Sequence, residues 1–317
     1  MKGTNMRRFA FLFSLLLLSR PVFAIVVSET TLAGSQMFEQ RVGVEGEIGG
    51  DEKNDIDPPW RWNVGYDFAR ATTSDPGQPE VTDRTTEVTA GGGYSDESGL
   101  GLDLNLDYAN TPEENLSSRG VSLFPSFTWE YNRPAKGSDD FSPFVMLKLD
   151  AGTTNYLETF SGTKVRKKGT VRPVSGTSEI RQNLLGLALS WRPTHDFKFS
   201  FSADHSTYNR DVTKFMAALD STAGLRRGIS GFSNTVGGLP RVEYSASLVW
   251  YIAKYWKNTL AEVYAIAAVD SSVSTTTKEA LEYKINPNWR VSGGIKIERS
   301  TATTDTLGFV GLSWDSD

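Results

Sequence analysis

The sequence predicts an all-β fold. It reads as a membrane-spanning, antiparallel up-and-down β-barrel of twelve strands, or fourteen if the N-terminal segment adds a pair. Three observations carry this. In the stretch Gly99–Tyr108, Leu100, Leu102, Leu104, Leu106 and Tyr108 share one face, and Gly101, Asp103, Asn105 and Asp107 share the other. A period of two without a slip marks a strand, and about nine to ten residues is the length of a tilted strand that crosses a bilayer. The chain begins with an export signal. The same alternation then recurs along the chain, with connections that are by turns short and long.

The export signal is residues 1–24. Lys2, Arg7 and Arg8 make a positive start, Phe9–Leu18 an apolar core, and Val22-Phe23-Ala24 a small-residue cleavage site. The apolar run is too short for a spanning helix, and no later segment approaches the roughly 18 apolar residues that one needs. Removing four bases (Lys2, Arg7, Arg8 and Arg20) and no acid takes the net charge from −5 to −9. An acidic exported chain is a poor nucleic-acid binder, so no nucleic acid is expected among its partners. With no cysteine there is no disulfide, no thiolate metal site and no lipidated N terminus. Aromatics reach 11% while hydrophobic residues are only 38%, as when every second residue is polar.

Residues 25–59 read as an N-terminal extension on the near side of the membrane. Val42, Val44 and Ile48 hint at a strand, and Gly49–Pro59 is a linker. If Met37–Ile48 inserts, a second strand from Ile25–Ala33 is needed to keep the number even. The barrel proper is residues 60–317. Its twelve outward faces begin with Trp62, Val64, Tyr66 and Phe68, then Val88, Ala90, Gly92 and Tyr94, then the leucines above. Val121–Tyr131, Val145–Ala151, Leu185–Trp191, Phe197–Ala203 and Val242–Ile252 follow. Asn258–Val269 is ambiguous in phase; with Ala261, Val263, Ala265 and Ala267 outward, Glu262 turns inward. Leu281–Ile285, Trp289–Ile297 and Gly308–Trp314 complete the set.

Ser95–Ser98, Asn132–Asp140, Arg192–His195, Ala253–Lys257 and Asn286–Asn288 are short and rich in turn formers. They alternate with a second set that includes Gly152–Arg181 and Asn209–Pro240, which read as long loops. With strand directions fixed this way, Trp62, Trp129, Trp191, Trp250, Trp289 and Trp314 form an aromatic girdle at the short-turn end. Trp60, Trp256, Tyr94 and Tyr131 join it.

On these features the chain resembles Gram-negative outer-membrane β-barrel proteins, porin-like ones of twelve strands, over about four fifths of its length. The resemblance implies outer-membrane localisation, both barrel ends in the periplasm, and contact with outer-membrane lipid and lipopolysaccharide. The last strand, with Val310, Leu312 and Trp314, is similar to the terminal signal read by the barrel-assembly machinery; here the chain runs on through Asp315-Ser316-Asp317.

Asp204–Asn209 is faintly similar to the His-x-Ser-Asn stretch of outer-membrane phospholipase A and lipid A deacylases. His205 and Thr207 share the outward phase, but Thr207 holds the nucleophile's place and Ser206 points the other way. Two histidines and no cysteine give no metal spacing, and no cofactor is expected. Inward charges are the candidates for selectivity: Asp103, Asp107, Glu130, Lys148, Asp150, Lys198, Asp204, Glu243, Glu262, Arg290 and Lys296. Such charges set ion preference in an open pore, or pair and plug a narrow one. Lys164, Arg166, Lys167, Lys168 and Arg172 make a basic external loop suited to lipopolysaccharide phosphates or anionic solutes. The functional expectation is a passive channel for small solutes. The alternatives are an envelope-lipid hydrolase using His205, and a structural or adhesion barrel without a pore.

Overall fold

The computed structural model describes residues 24–33, 37–48, 60–73, 81–96, 98–111, 116–132, 142–165, 171–210, 239–268, 271–300 and 304–315. The export signal apart from Ala24, the 49–59 linker and residues 211–238 of the expected Asn209–Pro240 loop lie outside them. Fourteen strands form one closed antiparallel barrel, each paired with its neighbours in sequence. In order they are β1 (Ala24–Ala33), β2 (Met37–Ile48), β3 (Trp60–Thr73), β4 (Val81–Ser95), β5 (Leu100–Thr111), β6 (Leu116–Tyr131) and β7 (Phe144–Val165). There follow β8 (Val171–Thr194), β9 (Phe197–Tyr208), β10 (Pro240–Ala253), β11 (Trp256–Ala267), β12 (Val273–Lys284), β13 (Trp289–Arg299) and β14 (Thr304–Asp315).

The count of twelve is corrected to fourteen. β1 and β2 come from the segment read as an extension, and β1 closes the barrel on β14 from Val26↔Asp315 to Ala33↔Gly308. Polar residues interrupt their outward faces, so the apolar alternation is broken in mid-strand. Glu29 and Gln40 both face outward, and the Gln40 amide donates to the Glu29 carboxylate at 2.8 Å.

The expected Gly152–Arg181 loop is also corrected. β7 and β8 remain paired out to Val165↔Val171, so this segment is a β-hairpin. Its neighbours stop earlier, β6 at Leu116↔Phe160 and β9 at Tyr208↔Gln182, so the paired ends of β7 and β8 stand beyond the rim. Outside an apolar layer nothing demands a greasy face, and the sequence there loses its alternation while remaining strand.

The polarity of the barrel is inverted relative to a globule. Leu100, Leu102, Leu104 and Leu106 are 46–56% exposed on the outer face, and so are most large apolar side chains of the other strands. Among the described residues the large side chains most deeply enclosed are Phe144, Ile180 and Leu307. Tight turns hold the short-turn end. Asp96 Oδ1 accepts from the Ser98 hydroxyl at 2.6 Å, the Leu100 N–H at 2.9 Å and the Ser98 N–H at 3.0 Å. Gly99 takes φ +87°, and a side chain there would also run into the Thr128 carbonyl.

Candidate functional site

Direct cross-strand partners share a face, so the ladder registers fix which residues line the interior. Asp103, Asp107, Glu130, Lys148, Asp150, Lys198, Asp204, Glu243, Arg290 and Lys296 all lie on the interior face, as expected. Glu262 does not. It pairs with Ala246 and Thr277 on the outer face, in phase with Leu260 and Tyr264. The phase of β11 is set by bulk. Tyr264 packs outside against Tyr244 with ring centroids 6.3 Å apart, while Ala261, Val263 and Ala265 go in. Lys257 turns inward and meets Glu282 at 3.1 Å. Glu279, beside Leu260, also faces out.

The interior is organised by ion pairs along one strand, between neighbouring strands and, once, across an intervening strand. Arg41 meets Asp67 at 2.6 Å, Arg61 meets Asp103 at 2.7 Å, and Lys148 meets Asp150 at 3.1 Å. Lys296 meets Glu298 at 2.6 Å and Arg290 meets Asp315 at 3.4 Å. Asp204 makes no ion pair among the described residues; its direct cross-strand partners are Gly186 on β8 and Glu243 on β10.

Glycines make room for this chemistry. Gly93 on β4 lies between Arg61 on β3 and Asp103 on β5, and Gly91 lies between Asn63 and Asn105. A Cβ at either position would collide with these side chains, so β4 acts as a floor over which its neighbours meet. Gly186 plays the same part between Asp150 and Asp204. The result is a lumenal cavity of about 400 Å³, lined by Arg61, Asn63, Asp103, Asn105, Lys148, Asp150 and Asp204, with Phe124 and Leu184 as its apolar side. Asn63 and Asn105 read from the sequence as polar-face residues but not as site residues, and Gly91 and Gly93 escaped the sequence reading. Their signal was the Gly91-Gly92-Gly93 run, legible only once strand neighbours are known.

Beyond the cavity the interior is hydrogen-bonded. Gln182 donates to the Ser206 hydroxyl at 2.7 Å and accepts from the Tyr156 hydroxyl at 2.8 Å; Thr154 bonds Ser122 at 3.0 Å.

All of the girdle tryptophans gather at the short-turn end, at the start of β3, β11 and β13 and the end of β6, β8, β10 and β14. Trp62, Trp129, Trp191, Trp250 and Trp289 are exposed and Trp314 is half-buried. Several meet a ring across or along the sheet, as Trp60 tilted against Tyr94 at 4.5 Å and Trp191 stacked on Phe199 at 5.6 Å.

His205 and Thr207 face outward, with Leu185 and Val242 opposite His205. Ser206 is inside and engaged by Gln182, so it is turned away from this imidazole. Of the basic external segment, Lys164 and Arg172 fall on β7 and β8 near the hairpin tip, and Arg166, Lys167 and Lys168 lie outside the described residues.

No protein-family model matches the chain, and no curated protein does. Among solved structures it is similar to the CymD monoaromatic hydrocarbon channel, with 10% identity over 95% of this chain and 89% of that one, at a TM-score of 0.48. It is similar to the Pseudomonas putida toluene transporter TodX, with 10% identity over 95% and 90%, at 0.44. It is also similar to the KdgM porin in complex with disordered oligogalacturonate, with 10% identity over 91% and 98%, at 0.39. At that identity and those scores, none of the three speaks for what this chain does.

Proposed function

We propose that this protein is a passive outer-membrane channel for small solutes. The observation that carries the reading is the inverted barrel, apolar outside and polar inside, enclosing a charged cavity of about 400 Å³. A fourteen-stranded barrel is wider than the eight-stranded type that side chains fill. Solutes diffuse through the lumen. Asp103, Asp107, Glu130, Lys148, Asp150, Lys198, Asp204, Glu243, Arg290 and Lys296 set which ones pass, because fixed charge in a narrow aqueous path raises or lowers ion entry.

The export signal at residues 1–24 delivers the chain. The terminal strand, with Val310, Leu312 and Trp314 on its outer face, supports recognition by the barrel-assembly machinery. The girdle supports a seat among outer-membrane lipids, with the short turns and both barrel ends in the periplasm. The basic hairpin tip meets lipopolysaccharide phosphates outside.

Purified protein in planar bilayers tests the reading. Discrete conductance steps are expected. A protein that inserts fully folded and never conducts would overturn the channel and leave a structural barrel.

A further inference from the structure

The lumenal cavity carries an uneven charge. Arg61 is held by Asp103 at 2.7 Å and Lys148 by Asp150 at 3.1 Å, which leaves Asp204 as the third carboxylate of the lining against two bases. Lys148 also acts on Asp204 through space, so one ammonium serves two carboxylates. The direct partner of Asp204 on β10 is a further acid, Glu243. Like charges set directly opposite repel, and a cation brought to them relieves the repulsion. The β9 side of the cavity is therefore a place for a positive group.

An apolar surface stands beside it. Phe124 and Leu184 line the same cavity, whose volume of about 400 Å³ is in the range that takes a small organic molecule. The Phe124 ring lies over Gly152 on β7, where a Cβ would strike it. The Asp204 carboxylate lies over Gly186 on β8, where a Cβ would strike it in turn. Gly152 pairs with Leu184 and Gly186 pairs with Asp150, so the two bare positions are on neighbouring strands, two residues apart along them. Strands about 4.8 Å apart and residues about 3.3 Å apart along a strand put the ring and the carboxylate about 8 Å from one another. An ammonium sits about 2.8 Å from a carboxylate oxygen, and apolar groups pack at about 4 Å. What is left between the two contacts is the length of a short alkyl linker.

We propose that the cavity binds small organic cations that carry an apolar ring, arylalkylammonium ions as a class. Asp204 takes the ammonium, and Phe124 with Leu184 takes the ring. An arylalkyl carboxylate of the same shape brings a negative charge to Asp204 and Glu243 and is rejected. The proposal rests on the reading of the chain as a channel, which gives the solute its route to the cavity.

The test is equilibrium dialysis of full-length protein in phosphatidylcholine nanodiscs, with empty nanodiscs as the blank. The probes are phenethylammonium, 3-phenylpropionate with the ring but the opposite charge, and n-butylammonium with the charge but no ring. The wild type is expected to bind phenethylammonium about tenfold more tightly than either of the others. D204N is expected to lose the preference over 3-phenylpropionate, and F124A the preference over n-butylammonium. Equal binding of the three probes by the wild type overturns the inference, and so does an unchanged preference in D204N. If F124A fails to fold, the three probes on the wild type and D204N decide. Single-channel recording on the same protein separates the two readings. A protein that conducts but shows no preference among the probes overturns this inference only. A protein that binds phenethylammonium selectively and never conducts overturns the channel and leaves the binding site standing.

Discussion

Arg61 on β3 holds Asp103 on β5 across the whole width of β4, through hydrogen bonds of 2.7 Å from Nη2 to each carboxylate oxygen and one of 3.1 Å from Nε. The bridge exists because Gly93 leaves the strand between them bare. Gly93→Val is expected to force the pair apart and fill the cavity. The lost charged hydrogen bonds cost about 2 kcal/mol, seen as a lower urea midpoint by tryptophan fluorescence, and channel conductance falls. Wild-type conductance in Gly93→Val would show that the cavity is not on the solute path.

Asp204 faces the same cavity without an ion pair among the described residues. Removing one charge worth about 1 kcal/mol in a wet lumen changes ion preference about fivefold. Asp204→Asn should therefore shift the reversal potential toward anions in a salt gradient. Conductance should change little. A reversal potential equal to the wild type's would remove Asp204 from the selectivity set.

The outer face is predicted to meet lipid. Leu104→Arg places a charge in mid-band and should cost about 2–4 kcal/mol of folding stability in vesicles. Thr259→Lys places a charge on the interior face of β11 and should cost far less. If the two variants unfold at the same urea concentration, the faces have been assigned the wrong way round.

β1 and β2 close the barrel, so they are not dispensable. Deleting residues 25–48 behind an intact export signal leaves β3 and β14 as open edges with unpaired backbone groups. The deletion is expected to abolish the compact, heat-modifiable band on cold gel electrophoresis. A stable compact band would show that this segment is an extension after all.

The Asp96 turn gives a pH dependence. The Ser98 hydroxyl and then the Leu100 N–H hold this exposed carboxyl below the usual carboxylate range. A depressed folded pKa contributes stability that is complete above the ordinary carboxylate value and is lost as pH falls through the depressed one. Amide exchange at Ser98 and Leu100 should accelerate over that acidic range, and Asp96→Asn should flatten the response. Acid-insensitive exchange in the wild type would remove the carboxylate from the turn.

The sequence by itself determined which residues of most strands face out, and at which end the tryptophans gather. Side-chain parity is a local property of extended backbone, so Gly99–Tyr108 declares its two faces without help from any neighbour. The outward leucines and inward Asp103 and Asp107 of that strand stand in the structure where the period of two put them.

Only the tertiary structure decided what depends on a partner strand. β1 and β2 carry Glu29 and Gln40 outward, so apolar alternation could not count them; pairing with β14 does. β11 has apolar residues on both faces, and its phase, with Glu262 outside, was set by Tyr244 and Tyr264 meeting across the ladder. The cavity needs β3, β4 and β5 in register, since Gly93 is an unremarked glycine until Arg61 and Asp103 stand on either side of it. Faces are written residue by residue along the chain. Closure, register and the meeting of side chains across a bare strand arise between segments far apart in sequence, and no local pattern encodes them.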